Sequence, residues 1–300
     1  MRPAPVRAPA DAATALAARI EAIETKPPGL LRRLPTSPVA MVGLGIILFW
    51  VIIALVAPLL PLPSPTAQDY LAIAHPGPTA QHLLGVDALG RDTLSRLIWG
   101  ARIVLALAPI SVIAAYLVGA TMGLVAGYYP GFIDGVISRL SDVILAFPVV
   151  VLYVVLIAAI GASAVNIVVA VVMISAPAIA RIVRGLTIHL VRQNFVAAAR
   201  LRRESSLFIM VVEIMPNCRG PLITDFCLRL GYTTMTIGTL GFLGLGIPPP
   251  APDWGGMVQL GTPMLTVYPE MALFPALALV SLVLGFNLLA DGLNELANAD

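Results

Sequence analysis

Charge is what this chain has little of. Only 11% of its 300 residues are Asp, Glu, Lys or Arg, while 59% are apolar and the mean hydropathy is +0.94. A soluble domain carries roughly a quarter charged residues, and surface area still grows with chain size. One water-soluble core cannot hide so large an apolar excess, so the expected solvent is a bilayer. Cysteine is nearly absent as well. Cys218 and Cys227 stand nine apart, without a CxxC pattern or a histidine cluster. That argues against a disulfide framework or a zinc site and for two free thiols in or near a helix. The single lysine, Lys26, precedes two prolines. A phosphate-binding loop needs GxxxxGK[ST], so this chain is expected not to hydrolyse ATP itself, to hold no cofactor or metal, and to draw its energy from a partner. A net charge of +2 is too small to imply nucleic acid. No apolar run lies within residues 1–38, so no cleavable signal peptide is expected, and the first span itself acts as the targeting signal.

What is present is a set of charge-free runs. Spanning the hydrocarbon takes about 20 mostly apolar helical residues. The first run covers Val39 to about Leu60 and ends among Pro58, Pro61, Pro63 and Pro65. The second covers Ile103 to about Ala126 and stops at Gly127-Tyr128-Tyr129-Pro130-Gly131. From Val143 to Ala180 no residue is charged. That suits two spans joined by Gly161-Ala162-Ser163-Ala164-Val165-Asn166. A fifth span covers about Pro221 to Ile247 and a sixth about Met271 to Ala290. Pro109 and Pro177 fall inside spans, where they can kink them. No internal repeat is visible.

Six spans put both termini on one side, and Arg and Lys choose the side. The arm at residues 1–38 carries Arg2, Arg7, Arg19, Lys26, Arg32 and Arg33, with one short helix expected near Ala12 to Ile23. The segment 185–220 carries Arg192, Arg200, Arg202, Arg203 and Arg219, with Arg181 and Arg184 just ahead of it. Both regions, and the tail 291–300, are expected in the cytoplasm. The segment 61–102 is expected outside, where Asp69, Asp87 and Asp92 balance Arg91, Arg96 and Arg102.

An ion-coupled carrier places ionisable groups near the membrane midplane. Here Asp142, Asp225, Arg229, Glu270 and Asp291 are read as lying at or near span ends, which disfavours such a carrier. His75, His82 and His189 fall in connecting segments without HExxH, a helical serine or paired aspartates, which disfavours an intramembrane protease.

Between spans four and five, Phe195 to Arg202 reads as a short basic helix, and Ser205 or Ser206 can cap a second one. Pro216 and Pro221 delimit the start of span five. This segment resembles the EAA segment of binding-protein-dependent ABC permeases. Ala198-Ala199 match its alanines and Ile214-Met215-Pro216-Asn217 its end. Ala197 stands where glutamate is usual, and Arg203 where glycine eases the turn between the helices, so Arg203 strains that turn or lengthens the first helix. Three further stretches resemble the peptide and nickel permease group: His82 to Arg102, Leu240 to Val258, and Asn287 to Asp300. The long arm and the C-terminal segment favour the C-type dipeptide/oligopeptide permease.

The resemblance implies an all-α membrane protein of type I ABC importer permease fold, with six spans in 39–290 and a cytoplasmic coupling helix. It implies Phe195, Val196, Ala197, Ala198, Ala199, Arg200, Arg202 and Arg203 as the ATPase-coupling segment, Arg200 and Arg202 being available to partner groups. Gly85, Asp87, Gly90, Arg91 and Asp92, with Pro216 and Asn217, are structural signatures. Gly85 and Gly90 permit tight turns, and Arg91 pairs with Asp87 or Asp92. Trp254, beside Asp253, is expected to anchor at the interface. Gly238, Gly241, Gly244 and Gly246 permit close helix approach beside the translocation path. The implied partners are a second permease subunit, two ATPase subunits that bind the ATP, a periplasmic solute-binding protein and the lipid bilayer. Di- or oligopeptides are the expected cargo, with nickel, glutathione or another small solute as alternatives.

Overall fold

The computed structural model describes residues 34–298, with side chains to residue 296. The expected helix near Ala12 to Ile23 and the basic residues of the N-terminal arm up to Arg33 lie outside the described residues. Among the described residues there are helices and turns, and the only strand-like pairing is an isolated antiparallel bridge between Val86 and Asp92.

Helix α1 (Pro38–Val56) starts where Ser37 Oγ accepts from the Ala40 amide, with Pro38 in the first turn. Both features suit a helix start. It is apolar on every side, and Leu55 is 71% exposed, as befits a surface that faces lipid. Helix α2 (Thr93–Tyr128) is 36 residues long and is capped by Asp92, whose side chain accepts from Ser95 N. At ~1.5 Å per residue it extends about 54 Å, well beyond a hydrocarbon core of about 30 Å. It runs unbroken through Pro109 and Gly127, and the turn begins only at Tyr129.

The third span departs from expectation. Helix α3 (Phe132–Leu145) carries Asp134, Arg139 and Asp142 and is amphipathic, and it meets helix α4 (Val149–Ile160) at a 91° bend. Helix α4 has 12 residues, about 18 Å of rise, too short to cross alone. The charge-free run thus opens on a broken element. Helix α5 (Ala164–Leu190) follows and continues ten residues past Ala180, through Pro177 without interruption. Then come α6 (Asn194–Leu201), one helical turn at Ser206–Phe208, a π turn at Ile209–Ile214 and a 3-10 turn at Met215–Cys218. These lead into α7 (Arg219–Phe242). Helix α8 (Trp254–Gly261) and helix α9 (Glu270–Asn298) complete the chain. Five helices are long and apolar enough to cross a membrane, and the bent pair makes a sixth if counted as one span.

The dominant packing is α2 against α5. Gly119, Gly123 and Gly127 recur every four residues and face Ala176, Ile179, Ala180, Val183 and Thr187. A Cβ at Gly123 would stand 2.6 Å from the Ala180 carbonyl oxygen and 2.7 Å from Val183 Cβ. Lipid is as apolar as a side chain, so helices associate through close contact, and small residues allow it. The same device joins α1 to α9, where a Cβ at Gly43 would meet the Gly285 carbonyl oxygen at 2.6 Å.

Gly123→Val drives a branched side chain into backbone that cannot yield, so a destabilisation of at least about 1–3 kcal/mol is expected. Gly45, on the exposed side of α1 with nothing within 4 Å of its Cβ position, is the control, and Gly45→Ala should be neutral or gain up to ~1 kcal/mol. Heating detergent-purified protein with a thiol-reactive dye reads both, since Cys218 and Cys227 are buried and free. Equal melting of Gly123→Val and wild type would refute the packing account.

Candidate functional site

Two polar regions occupy opposite ends of α2. At its C-terminal end lies α6, the expected coupling helix. Val196 and Ala199, three residues apart, are buried in a cluster with Ala120 and Leu124 of α2, Ile179 and Val183 of α5, and Ile209, Ile214 and Cys218 of the returning segment. Phe195 packs partly against the same cluster. The opposite face presents Ala197, Ala198 and Leu201, the last 87% exposed. Helical spacing thus divides the segment into an anchored face and a free apolar face.

Arg203 is outside the helix, with φ +59°, the one left-handed non-glycine residue among those described. The Arg203 amide donates to Arg200 O and the Glu204 amide to Ala199 O, which closes the helix in the manner usually served by glycine. Of the two outcomes expected for Arg203, the strained turn is the one observed. Ser205 Oγ then accepts from the Phe208 amide and starts the next turn. Arg202 is committed within the chain, its Nη2 lying 2.8 Å from Glu213 Oε1, and the Arg200 guanidinium lies 5.6 Å from the centroid of the Tyr128 ring. Both contacts hold the helix to its own scaffold, a use the expectation of free arginines did not contain. Pro216 opens the 3-10 turn, and Asn217 Nδ2 donates to Glu213 O.

At the N-terminal end of α2 the loop 61–92 folds over the bundle. Gly85 and Gly90 take φ +71° and +74°, as the tight turns require. Arg91 pairs with Asp87, Nε and Nη2 each 2.7 Å from Oδ2. Asp92 caps α2 and also receives His82, Nδ1 to Oδ2 2.9 Å, while His82 Nε2 lies 3.5 Å from Asp69. Buried Arg96 donates to the carbonyls of Pro65 and Pro250 and so ties this loop to the one after α7. Trp254 is corrected by the structure. It is fully buried under Gly100, donates Nε1 to Leu97 O at 2.8 Å and stacks edge-on against Trp50. It is a core residue rather than an interfacial anchor. Asp253 caps α8 through the Gly255 and Gly256 amides and packs against Gly241 and Gly246, while Gly238 meets Leu279 of α9.

A third polar group was misplaced by sequence reasoning. Asp225 and Arg229, one helical turn apart on α7, pair at 2.7 Å, and Tyr116 of α2 donates to the same Asp225 oxygen. Tyr116 lies midway along the second charge-free run, so the pair sits inside the bundle rather than at a span end. The i,i+4 acid–base spacing was the available signal.

Matches to known proteins follow this arrangement. The family model described as binding-protein-dependent transport system inner membrane component matches residues 119–299. One described as the N-terminal TM domain of oligopeptide transport permease C matches residues 30–78. A glutathione transport system permease protein of Pectobacterium atrosepticum is 40% identical over 237 residues, covering 79% of this chain and 78% of that one. A dipeptide transport system permease protein of Alkalihalophilus pseudofirmus is 36% identical over 264 residues, covering 88% and 86%. A glutathione transport system permease protein of Escherichia coli O157:H7 is 37% identical over 265 residues, covering 88% and 87%.

Two measurements check these local readings. Arg203→Gly relieves a left-handed side chain and should raise stability by about 1 kcal/mol, read as a higher melting temperature; a lower one would contradict the strain. His82 is held above its ordinary pKa, first by its bond to Asp92 and then by Asp69. Its contribution is therefore complete below about pH 6.5 and is lost as pH rises through the raised value. Burial pushes Asp253 up to about 6, so it too disfavours the folded state as pH rises past 4 toward 6. Melting temperature should rise as pH falls from 8 to 6, and His82→Gln should flatten that rise; an unchanged slope would count against the His82 pairing.

Proposed function

The chain belongs to the family of binding-protein-dependent transport system inner membrane components, and on that premise we propose how it works as a permease. It forms, with a second homologous permease, a pathway for short peptides, glutathione included. A periplasmic binding protein delivers the cargo, and two ATPase subunits supply the energy. Its relatives named for dipeptide and glutathione transport support that cargo class. Both termini and the α6 segment face the cytoplasm, which the clustering of arginine in 185–220 supports.

The observation that carries the reading is the divided face of α6. Val196 and Ala199 root the helix in α2 and α5, while Ala197, Ala198 and Leu201 offer an apolar knob to a partner groove. ATP binding draws the ATPase pair together, the docked helices move with them, and the permeases swing from inward- to outward-facing. Hydrolysis resets the cycle. The rigid root matters here because a displacement at α6 is passed to two long helices rather than lost in a loop. No covalent chemistry falls to this chain.

Mild-detergent purification of the tagged chain from native membranes, with mass spectrometry, should recover the second permease, the ATPases and the binding protein. A stable lone chain, without an ATPase even after crosslinking, would move the reading to an independent carrier. In reconstituted complex, Ala198→Glu and Leu201→Glu each place a charge on the apolar knob. ATP-driven uptake should fall on the order of tenfold or more, with ATP hydrolysis persisting, because a buried unpaired charge costs several kcal/mol. Wild-type uptake in both variants would remove α6 from coupling.

A further inference from the structure

Beside the Asp225–Arg229 pair, away from α6, lies a cavity of about 380 Å³. Its polar lining includes Arg229, Tyr232, Thr233, Thr236 and Thr239 of α7, with Tyr153 of α4 and Ser175 of α5. Arg229 gives its Nε to Asp225 and has the Tyr116 hydroxyl as a second side-chain neighbour, and it lines the cavity. Thr236 and Thr239 donate their hydroxyl protons to the carbonyls of Tyr232 and Met235, so toward the cavity their oxygens can only accept. One end of the cavity therefore offers donors with positive charge, and the rest of the stripe offers acceptors.

A second observation is independent of these side chains. Leu145 and Val149, which flank the 91° bend between α3 and α4, line the same cavity. Interrupted backbone at membrane depth is tolerated where it is buried in protein or borders water, and a cationic side chain there faces a polar pathway. The bend and the arginine both point to an aqueous space.

We propose that this cavity is a way-station on the translocation pathway, where Arg229 takes the free carboxylate of the passing solute and Thr236 and Thr239 accept from its N–H groups. Asp225 and Tyr116 hold the guanidinium in place. Along α7, Thr236 lies about 10 Å and Thr239 about 15 Å from Arg229 at ~1.5 Å per residue. An extended chain covers at most about 3.3–3.6 Å per residue. The stripe thus fits a carboxylate-terminated peptide of about three to four residues, and a cargo without a carboxylate loses its anchor. This deepens the permease reading and rests on it.

The test labels the full chain in native membranes, carrying Cys218→Ser and Cys227→Ser with Thr236→Cys, or Thr239→Cys should the first fail to express. Reaction rates are measured with anionic sulfonatoethyl and cationic trimethylammonioethyl methanethiosulfonates. The anionic reagent should react faster. Arg229→Gln should lower the anionic-to-cationic ratio on the order of tenfold, as a local field concentrates counter-charge, and Arg229→Lys should restore most of it. Trialanine should slow labelling and trialanine amide should not. The proposal is overturned by a cysteine inert to both reagents, by a ratio indifferent to Arg229→Gln, by absence of trialanine protection, or by equal protection from the amide. Labelling needs no ATP, so its failure is separable from a failure of ATP-driven uptake.

Discussion

The structure depends on the close approach of α2 and α5. Gly119, Gly123 and Gly127 let the α5 backbone come within a distance that any side chain would forbid. In lipid, water does not drive helices together, so contact geometry must do that work. The same pair then frames everything else. Its C-terminal ends carry the cluster that roots α6, and the N-terminal end of α2 carries the folded loop around Asp92 and Arg96. A continuous α2 of about 54 Å links the two ends mechanically.

Polar groups are confined by a second constraint, that charge in a low-dielectric interior needs a partner. At one end Arg91 has Asp87 and His82 lies between Asp92 and Asp69. Near the other, Arg202 has Glu213, and Asp134 and Asp142 of α3 hold Arg184 and Arg181 of α5. Those last two pairs fasten the amphipathic α3 to α5 ahead of the bend. Asp225 and Arg229 carry this chemistry into the bundle, and there Tyr116 supplies an additional hydrogen bond to the part-buried pair.

Much of the fold was legible because hydropathy reports where charge is missing. Helices α1 and α7 begin and end close to the expected first and fifth spans, while α2 starts at Thr93 rather than Ile103 and α9 runs on past Ala290 to Asn298; of Ser205 and Ser206, Ser205 is the cap. Arg203 was expected either to strain the turn or to lengthen the helix, and its φ of +59° is the first of these. The break at residues 146–148 was invisible, since a charge-free run records composition and not backbone direction. The glycines at 119, 123 and 127 were readable as a four-residue repeat, but only the partner helix shows what they admit. Trp254 was misread because a tryptophan beside an aspartate in a loop looks alike whether it faces lipid headgroups or a glycine on another helix.

By itself, the sequence determined that the chain belongs in a membrane and where most of its long apolar helices lie. These follow from local free energies of transfer, which a run of residues carries wherever it folds. Tertiary structure decided the depth of Asp225 and Arg229, the burial of Trp254, and the meeting of α4, α5 and α7 around one cavity. Depth and juxtaposition belong to pairs of helices, set by which small residues let which backbones touch.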